Sequence, residues 1–257
     1  MRLTHVGGPT LLVELGGWTL LTDPTFDPPG RRYAFGLGTS SRKVAGPALD
    51  PGDLPPVDAV LLSHDHHADN LDDAGRTLLA SVPEVVTTAS GGERLGVRGL
   101  RPWQTTVLTA PGRPPLVVTA TPARHGPPLS RRVSGDVVGF AVHEQEGGPV
   151  LWISGDTVFH RRLREVADRL AVDVAVLHLG GVRFPVTGPL RFSMTGAGAV
   201  RTVRLLRPRV VVPVHYEGWS HFRQGRAQVE RVLAGAPDDV RRRFCWLPMG
   251  RPVDVGG

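Results

Sequence analysis

The chain has 257 residues, 40% of them hydrophobic, a formal net charge of +6 and one cysteine, Cys245. That is apolar material for one large core or two small ones; it excludes an internal disulfide, and no uninterrupted apolar run approaches the ~18 residues of a membrane-spanning helix. The positive charge is almost all arginine, with Lys43 the only lysine, and it is scattered without interleaved aromatics, which argues against a nucleic-acid groove.

From the N-terminus, Arg2 to Val6, Thr10 to Leu15 and Trp18 to Leu21 read as short strands separated by Gly7-Gly8 and Gly16-Gly17, an antiparallel meander. The opening residues lack the apolar segment of a secretory signal, so a cytoplasmic protein is expected. Residues 25–54, rich in Pro, Gly, Arg and Ser, are expected to form a long functional loop in which Tyr33 and Phe35 can cover a pocket. Asp58 to Ser63, behind Pro55-Pro56, is a short apolar run of the buried-strand kind. Asp72 to Ala80 has helical character, with Asp69 or Asp72 as its cap. Glu84 to Thr88 is a strand candidate, Gly91 to Gly99 is loop-like, and short strands continue through Thr105 to Thr109. Leu116 to Pro122 alternates apolar and polar residues, and Val137 to Val142 pairs with Pro149 to Ser154 across Glu146-Gly147-Gly148. The second half then alternates. His160 to Leu170 is a helix, Asp173 to Leu177 a buried strand, Thr195 to Leu206 a helix and Arg209 to Val214 a buried strand. Arg226 to Ala234 is a helix and Arg243 to Leu247 a last strand. Strands first and strand–helix alternation afterwards suit two sheets packed face to face with helices outside.

The densest chemistry lies at Leu61 to Asp72, LLSHDHHADNLD, where His64, His66, His67, Asp65, Asp69 and Asp72 crowd just past a strand end. Imidazole and carboxylate suit Zn²⁺, Mn²⁺ or Fe²⁺, and a strand end holds them on a rigid support. Later strand ends deliver His125, Asp156 and His215.

These residues resemble the metallo-β-lactamase superfamily, whose marker is H-x-H-x-D-H followed by a lone His, an Asp and a final His. Leu20-Leu-Thr-Asp-Pro24, Thr121-Pro-Ala-Arg-His125, Ser154-Gly-Asp-Thr157 and Pro213-Val-His215 are similar, more narrowly, to one branch of it. That branch contains the ascorbate-6-phosphate lactonases and the N-acyl-phosphatidylethanolamine phospholipase D enzymes. The resemblance implies an α/β (α+β) fold, a four-layer αββα sandwich, as a single hydrolase domain over residues 1–257. It implies a site for one or two Zn²⁺ ions, with Mn²⁺ or Fe²⁺ as alternatives. His64, His66 and His125 would bind the first metal, Asp69 and His215 the second, and Asp156 would bridge them. A metal-bound hydroxide would then attack an ester, lactone or phosphodiester bond. The partner implied is a small-molecule substrate, anionic if nearby arginines recognise it, with no nucleic acid and no membrane insertion.

Two departures from the pattern stand out. HDHHADN has one residue more than the marker between the second His and the Asp, and Asn70 takes the place of the last His. A neutral amide is a poor transition-metal ligand, so His67, the additional residue, is expected to coordinate the second metal or to hydrogen-bond its water. Gly7-Gly8-Pro9-Thr10 stands where related chains have Gly-His-Ala-Thr. The alternative to catalysis is therefore a non-catalytic or weakly active metal-binding protein with a degenerate second site. Tyr216, Trp219 and His221 are expected either to edge the pocket or to form a structural loop anchored by Trp219, with His221 as a proton donor to the leaving group or a binder of a substrate anion. Asp69, Asp156 and His221 are thus the candidate catalytic groups. Asp23 is expected to hydrogen-bond a ligand histidine or to form a turn beside Pro24, and His178 to be a satisfied core histidine, the alternative being an outer partner of the metal centre. Arg183, Phe184 and Arg191 contact either substrate or solvent.

Overall fold

In the computed structural model, which describes residues 1–36, 38–128 and 130–256, the glycine pairs close the N-terminal meander as the pattern requires. Strands β1 (Arg2–Gly7), β2 (Thr10–Leu15) and β3 (Trp18–Thr22) pair antiparallel. The segment expected to be a loop carries a hairpin, β4 (Arg32–Gly36) and β5 (Thr39–Arg42). Then β6 (Ala59–Leu61), α1 (Asp73–Leu79), β7 (Glu84–Thr88), α2 (Ala89–Leu95) and β8 (Arg98–Leu100) alternate, their strands parallel. An antiparallel run follows: β9 (Thr105–Leu108), β10 (Leu116–Pro122), the single turn α3 (Arg131–Ser134), β11 (Val138–Glu144) and β12 (Val150–Ile153). Alternation resumes with α4 (Leu163–Arg169), β13 (Val172–His178), α5 (Gly196–Leu206) and β14 (Val210–Val214), again with parallel strands. Last come α6 (Arg226–Ala234), α7 (Asp238–Arg241) and β15 (Val253–Asp254).

Two further segments fold differently from expectation. Gly91 to Gly99 is mostly helix α2 and the start of β8: Thr88 Oγ1 accepts from Gly91 N, and Gly96, at φ 68°, ends the helix. The glycines are there for close approach, because a Cβ on Gly92 would stand 2.6 Å from Gly99 Cα. Arg243 to Leu247 forms only a single bridge, Phe244 to Val211. The last strand is β15, which pairs with β1.

The sheets run β15-β1-β2-β3-β6-β7-β8 and β14-β13-β12-β11-β10-β9. Along β3, Trp18 and Leu20 face the second sheet while Leu21 faces outward, the two-residue period of a strand. The inner core interleaves Leu11, Leu20 and Val86 of the first sheet with Val118, Phe140 and Val176 of the second. Leu71, Leu78 and Leu95, around α1 and α2, cover the outer face of the first sheet at Val60 and Leu62. Leu163, Val203, Val229 and Val240, from α4 to α7, cover the second at Trp152 and Val211. These are the four layers of an αββα sandwich. No described helix is long and apolar enough to cross a membrane.

Strand polarity positions the site. Because β10, β12, β13 and β14 all run one way, their C-terminal ends share an edge. Val138 N donates to Ser63 O at 3.1 Å, which ties that edge to the end of β6.

Candidate metal centre

His64 follows β6, where Ser63 N donates to Asp23 Oδ1 at 2.6 Å and His64 Nδ1 lies 2.9 Å from Ser63 Oγ. His125 follows β10, and its Nδ1–H donates to Phe192 O at 2.6 Å. A carbonyl can only accept, so this bond sets the tautomer and leaves Nε2 as the lone-pair nitrogen. Nδ1 of His67 lies 3.3 Å from His64 Nε2 and 2.9 Å from His125 Nε2, and one ring nitrogen of each lies within 4.8 Å of the others. Burial lowers the pKa of all three rings, that of His125 to about 4, so they are neutral at pH 7. Converging neutral imidazoles are a metal-ligand set.

The structure brings His67, not His66, into this group. His66 Nε2–H donates to Ser134 O at 2.5 Å. Asp65 is gripped by Arg94 of α2 through Nε–Oδ2 at 2.8 Å and Nη2–Oδ1 at 2.5 Å. Asp65 is thus drawn onto Arg94 and His66 Nε2 onto Ser134 O, while the His66 ring stays 5.0 Å from that of His64 and 4.6 Å from that of His67, and it is the His67 nitrogen that converges on the other two. His67-Ala68-Asp69 has the H-x-D spacing of the pattern.

Asp69, Asp156 and His215 form a second group, their donor atoms also within 4.8 Å of one another. Asp156 rides the turn after β12 on Gly155, at φ 59°, where a Cβ would meet Val138 O at 2.4 Å. His215, directly after β14, holds φ 57°, a strained value for a residue with a side chain. Its Nε2 lies 3.4 Å from Asp69 Oδ2 and its Nδ1 3.3 Å from Asp156 Oδ1. Asp69 Oδ1, both oxygens of Asp156 and His215 Nε2 are buried without a hydrogen-bond partner. Burial pushes the Asp156 carboxyl up to about 8, with His215 opposing and Asp69 and Asp23 adding to the rise. Burial works against a charged His215, yet Asp156 and Asp69 hold its pKa up to about 9. Two buried carboxylates beside one imidazole are short of positive charge. A divalent cation fits: it would partner the orphaned atoms and reverse the charge balance.

His178 is a satisfied core histidine, with Nε2 3.0 Å from Asp23 Oδ2 and Nδ1 3.4 Å from Ser154 Oγ. Asp23 therefore serves His178 and the Ser63 amide rather than either donor group. A cavity of about 110 Å³ opens over both groups, with His67, Asp69, His125 and His221 against apolar walls that include Phe35, Phe184 and Phe192. Of the three residues expected at its edge after His215, only His221 is there. Tyr216 packs on Trp246 and His5, and Trp219 backs Tyr33 and Phe35. Tyr33 donates its hydroxyl to Asp27 Oδ2 at 2.5 Å and leaves the wall to Phe35. Arg183 and Arg191 do not line the cavity. A larger cavity of about 520 Å³ shares His125 and Ser134 with it and is bordered by Arg101, Arg124, Arg131 and Arg162.

Residues 19–216 match the model of the beta-lactamase superfamily domain. A UPF0173 metal-dependent hydrolase of Opitutus terrae is 30% identical over 225 residues, spanning 84% of this chain and 85% of that protein. One of Caldivirga maquilingensis is 26% identical over 245 residues, 93% of this chain and 92% of that protein. The crystal structure of isothiocyanate hydrolase from Delia radicum gut bacteria superposes with a TM-score of 0.79 at 22% identity, covering 100% of this chain and 99% of the other. At that identity the likeness is one of fold.

Proposed function

Because the chain belongs to the beta-lactamase superfamily, among the UPF0173 metal-dependent hydrolases, we infer that it is a metal-dependent hydrolase of small, largely apolar esters or lactones. The observation that carries this reading is that both donor groups border one cavity with aromatic and aliphatic walls. Bound Zn²⁺ would supply a Lewis acid and water acidified towards neutrality. His64, His67 and His125 would hold one ion, and Asp69, Asp156 and His215 the other, with Asp156 the expected bridge. The imidazole-rich first group suits zinc; Mn²⁺ or Fe²⁺ is the alternative where carboxylates weigh more.

Phe35, Phe184 and Phe192 exclude water and receive the apolar part of the substrate. Among the described residues no arginine or lysine lines this cavity, and burying an anion against apolar walls is costly. A neutral ester or lactone is therefore favoured over a phosphodiester. An anionic end, where the substrate has one, would reach the arginine-bordered cavity beside His125. The lactonase-like placement within the family rests on Thr121 to His125 and Ser154 to Thr157. Residues 1–257 would act as one domain in a reducing cytoplasm, in keeping with the lone free Cys245, and without a nucleic-acid partner.

The test is a substrate panel on protein stripped of metal and reloaded with Zn²⁺, Mn²⁺ or Fe²⁺, with elemental analysis of each form. The panel holds neutral aryl esters, lactones, phosphodiesters and an isothiocyanate. Turnover of esters or lactones, lost in Asp156→Ala with unchanged circular dichroism, is expected. Preference for phosphodiesters, or full activity in Asp156→Ala, overturns the reading.

A further inference from the structure

Asn70 stands where the superfamily marker has a histidine, and its neutral amide, which faces the Asp156 carboxylate and favours its charged form, is a poor metal ligand. Nδ2 donates to Ser63 Oγ at 3.5 Å, and Oδ1 has no partner. The second donor group is left with two carboxylates and one imidazole. We propose that His221, on the loop six residues beyond His215, supplies the missing imidazole as a further ligand of the second ion. The proposal rests on the metal-centre reading above and deepens it.

Three observations carry it. First, Nε2 of His221 lies 3.0 Å from Asp69 Oδ2, the same oxygen that His215 Nε2 approaches to 3.4 Å. Two donors each about 2.0–2.2 Å from a common ion, at tetrahedral or octahedral angles, are themselves about 3.0–3.5 Å apart. Both spacings fall there, so each histidine has ligand spacing to Asp69; His221 stands beside the 4.8 Å group of Asp69, Asp156 and His215 rather than within it, and joins an ion there by a small inward shift of its ring. Second, Nδ1 of His221 lies 2.5 Å from Ser41 Oγ, which is 3.2 Å from Ser220 Oγ. Metal-bound imidazoles are held by such an outer partner on the other nitrogen, as His125 is by Phe192 O. Third, the ring is clamped. Phe184 stacks on it at 5.1 Å and 7°, and Phe35, Trp219 and Phe222 enclose it. With both nitrogens directed and the rotamer fixed, His221 is built as a ligand rather than as a mobile proton donor. The loss at Asn70 and the gain at His221 fall on the same donor group, so the second site need not be degenerate.

The test uses the full chain, stripped of metal and titrated with Zn²⁺. His221→Ala is expected to weaken the second equivalent at least about tenfold and to spare the first. Equal binding of both equivalents by His221→Ala overturns the proposal. Loss of an outer partner would also weaken binding, so the deciding measurement is made on the wild-type chain. The spin-active cadmium isotope is loaded into protein with isotope-labelled histidine, and one-bond metal–nitrogen couplings are recorded. A coupling to Nε2 of His221, assigned by its loss in His221→Gln, supports the proposal. Couplings to His125 and His215 without one to His221 overturn it and leave the metal centre standing. No coupling to any histidine, with no tight zinc binding, overturns both.

Discussion

Histidine 67 is one residue from His66 and serves a different purpose, because side-chain direction in this loop is set by what grips its neighbours. Asp65 is held by Arg94 and His66 Nε2 by Ser134 O, which occupies their bonding atoms although the His66 ring stays 5.0 Å from that of His64. His67 is left to face His64 and His125. Removing a ligand should cost more metal affinity than removing a group on the rim. His67→Ala is expected to weaken the first Zn²⁺ equivalent by more than about 100-fold, beyond the range usual for outer partners, whereas His66→Ala changes it by less than about tenfold. Competition titrations with a chromophoric chelator measure both, and the reverse order would return His66 to the centre.

At the scale of elements, Asp72 joins three of them. As the cap of α1 its Oδ1 accepts from Gly75 N at 2.9 Å, and the same carboxylate accepts from Phe26 N at 2.9 Å and Asp27 N at 2.7 Å. Its counter-charge is Lys43, whose Nζ donates to Oδ2 at 2.8 Å with both side chains buried. The chain's one lysine therefore anchors the segment after β5, and with it the hairpin that presents Phe35, to the start of α1. Lys43→Met leaves a buried carboxylate without a positive partner, and breaking such a pair costs roughly 3–5 kcal/mol. Urea unfolding should register that loss together with a weaker KM for ester substrates, since the Phe35 wall loosens. A stability change under about 1 kcal/mol would show that the amide bonds to Asp72 suffice.

For the whole molecule, a group that folds uncharged adds to the loss of stability in mild acid, above the range in which the paired carboxylates titrate. His160 is buried where Arg124 and Arg162 face it, with Glu165 the opposing acid. Burial first, and then the two arginines, lower its pKa from 6.5 to about 4. Below pH 6.5 the unfolded chain takes up a proton that the folded chain refuses until about pH 4. The unfolded state thus binds more protons in that window, and stability falls as pH drops through it. At most about 3 kcal/mol follows from a shift of that size. His160→Gln should flatten the midpoint of urea unfolding between pH 6.5 and 4. Measured on chelator-stripped protein, the comparison is free of metal release. Parallel curves for the two proteins would place the acid sensitivity elsewhere.

What the sequence determines by itself is the layering and the inventory of ligand types. Apolar alternation in Trp18 to Leu21 and Leu116 to Pro122 sorts residues between two faces, because a strand's period is two. Strand ends that carry His125, Asp156 and His215 must meet once β10, β12 and β14 run in one direction, and the Val138–Ser63 bond brings His64 to them. What only the tertiary structure decides is which atom faces the centre. The inward turn of His67 depends on Arg94 and Ser134, and the place of His221 depends on Ser41 and Phe184, all distant in sequence. The β4–β5 hairpin is only five and four residues long, with Tyr33 and Phe35 turned inward, and its support comes from the loop after β14: Val44 N donates to Gly218 O, and Arg42 N to Ser220 Oγ. Helix α2 hides among glycines that are there to let β8 approach. Local pattern records what a residue does to its own backbone and face; these outcomes are contacts between segments, and only the folded chain brings the segments together.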